Sequence, residues 1–145
     1  MANEFGQVDE VLQLLIEHGG IAADYIVDRK TSGIWTYEKM YSGALKMTGK
    51  VTNANIAPSS WIASGNIFYA NITSREFPFD LAELHYFNWY VEDPSSGRML
   101  FTLSTASPDN GLSTSETGRL AVGRSTKPTE NVSTNLYFKV EGKWK

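Results

Sequence analysis

Residues 132–144 read Val-Ser-Thr-Asn-Leu-Tyr-Phe-Lys-Val-Glu-Gly-Lys-Trp, and the period of that stretch decides the fold class. Val132, Thr134, Leu136, Phe138, Val140 and Trp144 fall on one side; Ser133, Asn135, Tyr137, Lys139, Glu141, Lys143 and Lys145 fall on the other. A period of two is that of a strand with one buried face. A slip of one residue would carry Lys139, Glu141 and Lys143 into the core, so a long strand is expected with Val132, Leu136, Phe138 and Val140 inward.

The same period recurs upstream. Residues 34–41 and 44–51 flank Ser42-Gly43, a two-residue connection of the kind used by hairpins, and Leu45, Met47 and Val51 alternate with Lys46, Thr48 and Lys50. Further strands are expected over residues 64–73, 84–92, 98–104 and 118–123, separated by Pro, Gly, Ser and Asp clusters. Asp93-Pro94-Ser95-Ser96-Gly97 predicts a loop joining 84–92 to 98–104 as a second hairpin. His85 alternates with Phe87, Trp89 and Val91, which predicts a packed histidine. About seven short strands punctuated by turns read as an all-β domain, an antiparallel β-sandwich or jelly roll.

The front of the chain differs. Residues 1–28 hold six acids and no Lys or Arg, leaving 10 acids against 13 bases in the rest of the chain. Val8, Val11, Leu12, Leu15 and Ile16 recur at helical spacing, with Asp9 and Glu10 in the first turn, His18 in the last and Gly19-Gly20 as the stop. One short N-terminal α-helix is expected over about residues 6–18. A helix of roughly three turns is marginal alone, so its apolar stripe must pack on the β domain or on copies of itself around an axis. The expected organisation is 1–23, helix, linker and oligomerisation segment, followed by a β-sandwich domain over 24–145.

Composition removes most chemistry. The 145 residues include no cysteine, which excludes thiolate metal sites and a Cys nucleophile, and the net charge of −3 argues against a nucleic-acid binder. No apolar run approaches the roughly 18 residues of a membrane span, and Met1–Gly6 carries no Lys or Arg, so neither membrane anchor nor export signal is expected. The sequons at Asn71 and Asn131 then read as chance matches in a Ser/Thr/Asn-rich chain. There is no phosphate-binding glycine loop and no Gly-x-Ser-x-Gly elbow. With His18 at a helix end, the two histidines build no polyhistidine zinc site. A Ser-His-Asp triad through His85 is left open by counting alone. No pair among the 16 acids is singled out for glycoside hydrolysis. No cofactor, metal or catalytic residue is expected.

Aromatic residues carry more. Trp35, Tyr37 and Tyr41 share a face of the first hairpin strand, and Tyr86 and Tyr90 lie opposite Phe87 and Trp89. Strand aromatics ordinarily fill cores and cross-strand pairs. Trp61, after Pro58-Ser59-Ser60 in a loop, is the expected exposed exception, followed by Tyr86 and Tyr90. Exposed rings of this kind stack on sugar C–H faces while neighbouring amides and hydroxyls bond the sugar hydroxyls.

Asp24-Tyr25-Ile26-Val27 followed by Gly33-Ile34-Trp35-Thr36-Tyr37-Glu38-Lys39, the Ser42-Gly43 turn and the terminal Gly142-Lys143-Trp144-Lys145 resemble a known pattern. It is that of C-terminal domains in tail-fibre and baseplate proteins from phages and prophages of Gram-positive bacteria. Phe77-Pro78-Phe79 is similar to the aromatic-Pro-aromatic step before the central strands of those domains. The chain departs from the pattern at Met40, where Trp is common, and at Leu45-Lys46-Met47, which replaces an often Glu-Cys-Trp-like stretch. The resemblance covers about residues 24–145 and implies a virion protein, assembled in the host cytoplasm, whose β domain forms a homotrimer at a fibre tip or on the baseplate. Its implied partners are other tail or baseplate proteins and a host-surface glycan, with no nucleic acid and no membrane, and no enzymatic residue carries over. The expected function is saccharide binding without catalysis through Trp61, Tyr86 and Tyr90, the helix face Val8, Val11, Leu12, Leu15 and Ile16 forming the oligomer interface. The alternatives are a purely structural assembly or decoration module and a cell-wall glycan hydrolase.

Overall fold

The computed structural model describes Glu10 and residues 24–93, 100–103 and 108–145. The helix expected over residues 6–18, with the face Val8, Val11, Leu12, Leu15 and Ile16, lies outside the described residues, as does the loop following Asp93. The described chain is almost wholly β. Its strands are β1 (Ile26–Ser32), β2 (Trp35–Met40), β3 (Ala44–Ile56), β4 (Ile62–Ser64), β5 (Ile67–Ile72), β6 (Glu83–Glu92), β7 (Phe101–Thr102), β8 (Leu120–Arg124) and β9 (Val132–Lys143). They form two antiparallel sheets, ordered β1-β2-β3-β9-β6 and β4-β5-β8-β7. One hydrophobic cluster joins them, with Trp35, Leu45, Met47, Trp89, Leu136 and Phe138 from the larger sheet and Ala70, Ile72, Leu120 and Val122 from the smaller.

β9 behaves as its alternation requires: every second residue from Val132 to Gly142 is buried, Phe138 is 3% exposed, and the Lys139 side chain is 62% exposed. Its inward Thr134 donates its hydroxyl to the Ala54 carbonyl at 2.8 Å, which removes the penalty of burying it. β9 lies between β3 and β6 and is bonded to both. On β3, Leu45, Met47 and Gly49 are buried while Lys46, Thr48 and Lys50 are exposed. Gly49 lies opposite Trp35, and a Cβ there would come within 2.6 Å of the indole ring. The indole covers the missing side chain and donates its Nε1–H to the Glu76 carbonyl at 2.7 Å.

Three sequence expectations are corrected. The β2–β3 connection has three residues, Tyr41, Ser42 and Gly43, because the register Lys39↔Leu45 pairs Met40 across from Ala44. Gly43 donates its N–H to the Met40 carbonyl at 3.0 Å and has φ 99°, so the turn closes one residue early and a glycine absorbs the extra step. His85 is not packed. The β6–β9 register shifts between Leu84 and Tyr86, leaving His85 as the extra residue of a bulge; Leu84, Phe87, Trp89 and Val91 face the core, while the His85 side chain is 51% exposed. The second hairpin does not form either, since β6 pairs with β9 in one sheet and β7 with β8 in the other. β1 and β4 are strands without a burial signal: all seven residues of β1 and all three of β4 are exposed.

Some of the residues carrying the sequence resemblance, namely Asp24, Tyr25, Lys39, Ser42, Gly43, Phe79 and Trp144, meet at one corner of the larger sheet, whereas Trp35 lies at the far end of β2 in the core. The Asp24 carboxylate accepts from the Ser42 hydroxyl and from the Tyr25 N–H at 2.9 Å, and the Tyr25 and Tyr41 rings stack 5.1 Å apart. Trp144 donates its indole N–H to the Met40 carbonyl at 2.9 Å and its backbone N–H to the Gly43 carbonyl at 3.0 Å. The Lys39 ammonium lies 4.3 Å from the Phe79 ring centroid, 5.1 Å from that of Trp144 and 5.5 Å from that of Tyr37. These contacts tie residues 24–25 and 144 to the β2–β3 turn.

Candidate functional site

The outward residues of the larger sheet line up in rows across its strands. One row runs Tyr90, Tyr137, Lys50; the next Asn88, Lys139, Thr48, Thr36, Thr31; the third Tyr86, Glu141, Lys46, Glu38, Arg29. The middle row is low where its threonines stand between longer side chains. A depression of about 450 Å³ opens there, lined among others by Thr36, Thr48, Lys50, Asn88, Tyr90 and Tyr137, with Lys139 completing it. A second of about 290 Å³ adjoins it, sharing Thr36, Thr48 and Lys139 and adding Glu38, Lys46 and Glu141.

Tyr90 and Tyr137 stack with centroids 4.6 Å apart and planes 16° from parallel, and Tyr90 remains 56% exposed. The Tyr137 hydroxyl donates to Glu92 Oε1 at 3.2 Å, and Asn135 Nδ2 donates to the same oxygen at 3.1 Å. Lys50 Nζ lies 5.3 Å from the Tyr137 ring centroid. Lys139 Nζ is 5.9 Å from the Tyr86 ring and 3.7 Å from Glu141 Oε1. The face thus combines an exposed aromatic platform with hydroxyl, amide and ammonium donors on a rigid sheet.

Of the three aromatics predicted to be exposed, two are: Tyr86 is 44% exposed and Tyr90 more so. Trp61 is a correction, being 4% exposed. It follows a 3-10 turn over Pro58–Ser60 that feeds straight into β4, and continuing the register Ile62↔Tyr69 sets it across from Ala70, whose small side chain leaves room for an indole between the sheets. Trp35 and Tyr37 are also core residues. Tyr137 was missed as a site residue. Its outward phase was readable, but its stacking on Tyr90 follows from the β6–β9 register, which no local pattern reveals.

Electrostatics at the end of β6 are ordinary ion pairing. Glu83 Oε2 lies 2.6 Å from His85 Nε2, and Lys143 Nζ lies 3.3 Å from Glu83 Oε1. The His85 hydrogen bond, followed by that from Lys143, holds the Glu83 carboxyl below its ordinary range. Among the described residues no cluster of three or more His, Asp or Glu could hold a metal ion, and no helix is long and apolar enough to cross a membrane. Three buried nitrogens there, Trp61 Nε1, Arg75 Nε and Arg124 Nη2, have no hydrogen-bond partner.

No family model and no curated protein matches the chain. Among solved structures it is similar to a fragment of the P. aeruginosa R1 pyocin fibre comprising C-terminal residues 323–701, at 9% identity and a TM-score of 0.47. The match covers 80% of this chain and 28% of that one.

Proposed function

We propose that this chain is a tail-fibre tip or baseplate domain that binds a host-surface saccharide, without cleaving it, on the outer face of its five-stranded sheet. The observation that carries this reading is the Tyr90–Tyr137 stack beside a depression floored by Thr36 and Thr48. The exposed Tyr90 ring, held in place by Tyr137, offers a pyranose ring an apolar surface while Asn88 and the threonines meet its hydroxyls. The sequence resemblance supplies the virion setting, and the bonds that Asp24 and Trp144 make at the β2–β3 turn, with Trp35 in the core, support a role for these motif residues as architecture rather than ligand contacts. Trimerisation belongs to the same proposal, through the face Val8, Val11, Leu12, Leu15 and Ile16.

The test is retention of the protein on cell walls from a panel of bacteria and on immobilised glycans, with wild type, Tyr90→Ala, Tyr137→Ala and Tyr86→Ala. A ring at the centre of the site should cost about 1 kcal/mol or more, and more in a multivalent assembly. Sugar fragments released over time would reject the non-enzymatic claim. Retention no greater than on an inert polymer would favour the structural module, a reading supported by β1, where Ile26 and Val27 are 39% and 44% exposed on an edge strand open to another protein. Replacing Leu12 and Leu15 by Asp should give monomers in sedimentation; a persistent trimer would move the interface to the β domain.

A further inference from the structure

The charges around the Tyr90–Tyr137 platform are unevenly placed. The lining of the larger depression contains two lysines, Lys50 and Lys139, and no Asp or Glu. The register places Lys50 across from Tyr137 and Thr48 across from Lys139, so the two lysines are diagonal neighbours on β3 and β9, about 7–8 Å apart at the backbone. Lys50 Nζ lies over Tyr137 and Lys139 Nζ lies toward Glu141, and from this diagonal both flexible arms have the length to turn onto one group of carboxylate or phosphate size. Lys50 has no ion pair among the described residues, and its ammonium lies over the Tyr137 ring.

The carboxylates facing this surface are committed elsewhere or lie at its margins. Glu92 accepts from Tyr137 and Asn135, Glu38 pairs with Arg29 at 2.7 Å, and Glu141 reaches Lys139 at 3.7 Å from the side of the smaller depression. Glu38 and Glu141 line that smaller depression together with Lys46, whereas the charged residues lining the larger one are lysines alone. We infer that the ligand of this face is an anionic saccharide, its ring against the exposed Tyr90 of the Tyr90–Tyr137 stack and its carboxylate or phosphate within reach of Lys50 and Lys139. This rests on the saccharide-binding reading above and narrows it to a substrate class.

The experiment compares three sets of immobilised oligosaccharides, neutral hexose, hexuronate and phosphate-substituted hexose, for binding of wild type, Lys50→Gln, Lys139→Gln, the double variant, Tyr90→Ala and the exposed control Lys127→Gln, with circular dichroism confirming the fold. Wild type should prefer one or both anionic sets, and the favoured set tells carboxylate from phosphate. Each lysine variant should weaken anionic binding about fivefold, the double variant more, with Lys127→Gln unchanged. Binding should also weaken as salt rises from about 0.05 to 0.5 M. Tyr90→Ala should weaken every set that binds. Equal binding to neutral sugars, or indifference to both lysines, overturns the anionic assignment while leaving saccharide binding intact. No binding to any set or to any cell wall overturns both.

Discussion

The two sheets share one core but hold it differently. In the larger one, β3, β6 and β9 run 13, 10 and 12 residues, long enough for each strand to repeat its inward and outward phases several times. In the smaller one the strands have 3, 6, 5 and 2 residues, too few for repetition to set a register, and single fits do the work instead. Trp61 faces small Ala70, Phe101 lies where a Cβ on Gly123 would fall, and Arg124 turns inward beside Phe68's row. Length therefore separates the roles. The larger sheet can present a broad, rigid outer face because its inner face is over-determined; the smaller sheet closes the core.

Phe138→Ala tests that division most severely. Its ring is 3% exposed and lies 5.4 Å from the Trp35 ring and 6.2 Å from that of Phe87, so its loss should cost about 3–5 kcal/mol in denaturant unfolding. Leu120→Ala, on the shorter β8, should fall at the lower end of its class, about 2–3 kcal/mol. A larger loss at Leu120 would reverse the ranking of the sheets. Arg124→Met sharpens it from the other side: a 3% exposed guanidinium with an unpaired Nη2 is a burden, and an apolar side chain of similar volume should stabilise by about 1–3 kcal/mol. A lowered melting temperature would show that Arg124 has a role in holding the smaller sheet.

On the outer faces the contrast is functional. Tyr137→Ala should weaken saccharide retention about fivefold, whereas Tyr69→Ala, beside a depression of about 440 Å³ on the smaller sheet, should leave it unchanged. Equal losses would erase the distinction between the faces. The smallest effect concerns the corner around Asp24. Slight burial pushes the Asp24 carboxyl up, but hydrogen bonds from the Ser42 hydroxyl and the Tyr25 and Ser42 N–H groups, with the Lys145 charge, outweigh it and leave its pKa lowered. A carboxyl lowered by folding stabilises fully above its unfolded pKa, about 4, and that contribution is lost as pH falls through the lower folded value. Protection of the Tyr25 and Ser42 amides, measured against their intrinsic exchange rates, should fall below about pH 4, and Asp24→Asn should remove that acid dependence. Protection that stays constant in acid would detach Asp24 from the corner.

Much of the larger sheet was written in local pattern. The alternation from Val132 to Val140 and from Leu45 to Lys50 specified which residues go inward, because the side-chain period of a strand is a property of one chain segment. The outward phase of Tyr86 and Tyr90 was legible for the same reason, as was the absence of cysteine chemistry. Tertiary structure alone decided the remainder. The bulge that turns His85 to solvent, the choice of β9 over β7 as the partner of β6, the cover over Trp61 and the stack of Tyr90 on Tyr137 all depend on which distant strand lies alongside. Pairing between strands far apart in sequence is settled by the fit of whole faces, and that fit exists only once both sheets have closed on their common core.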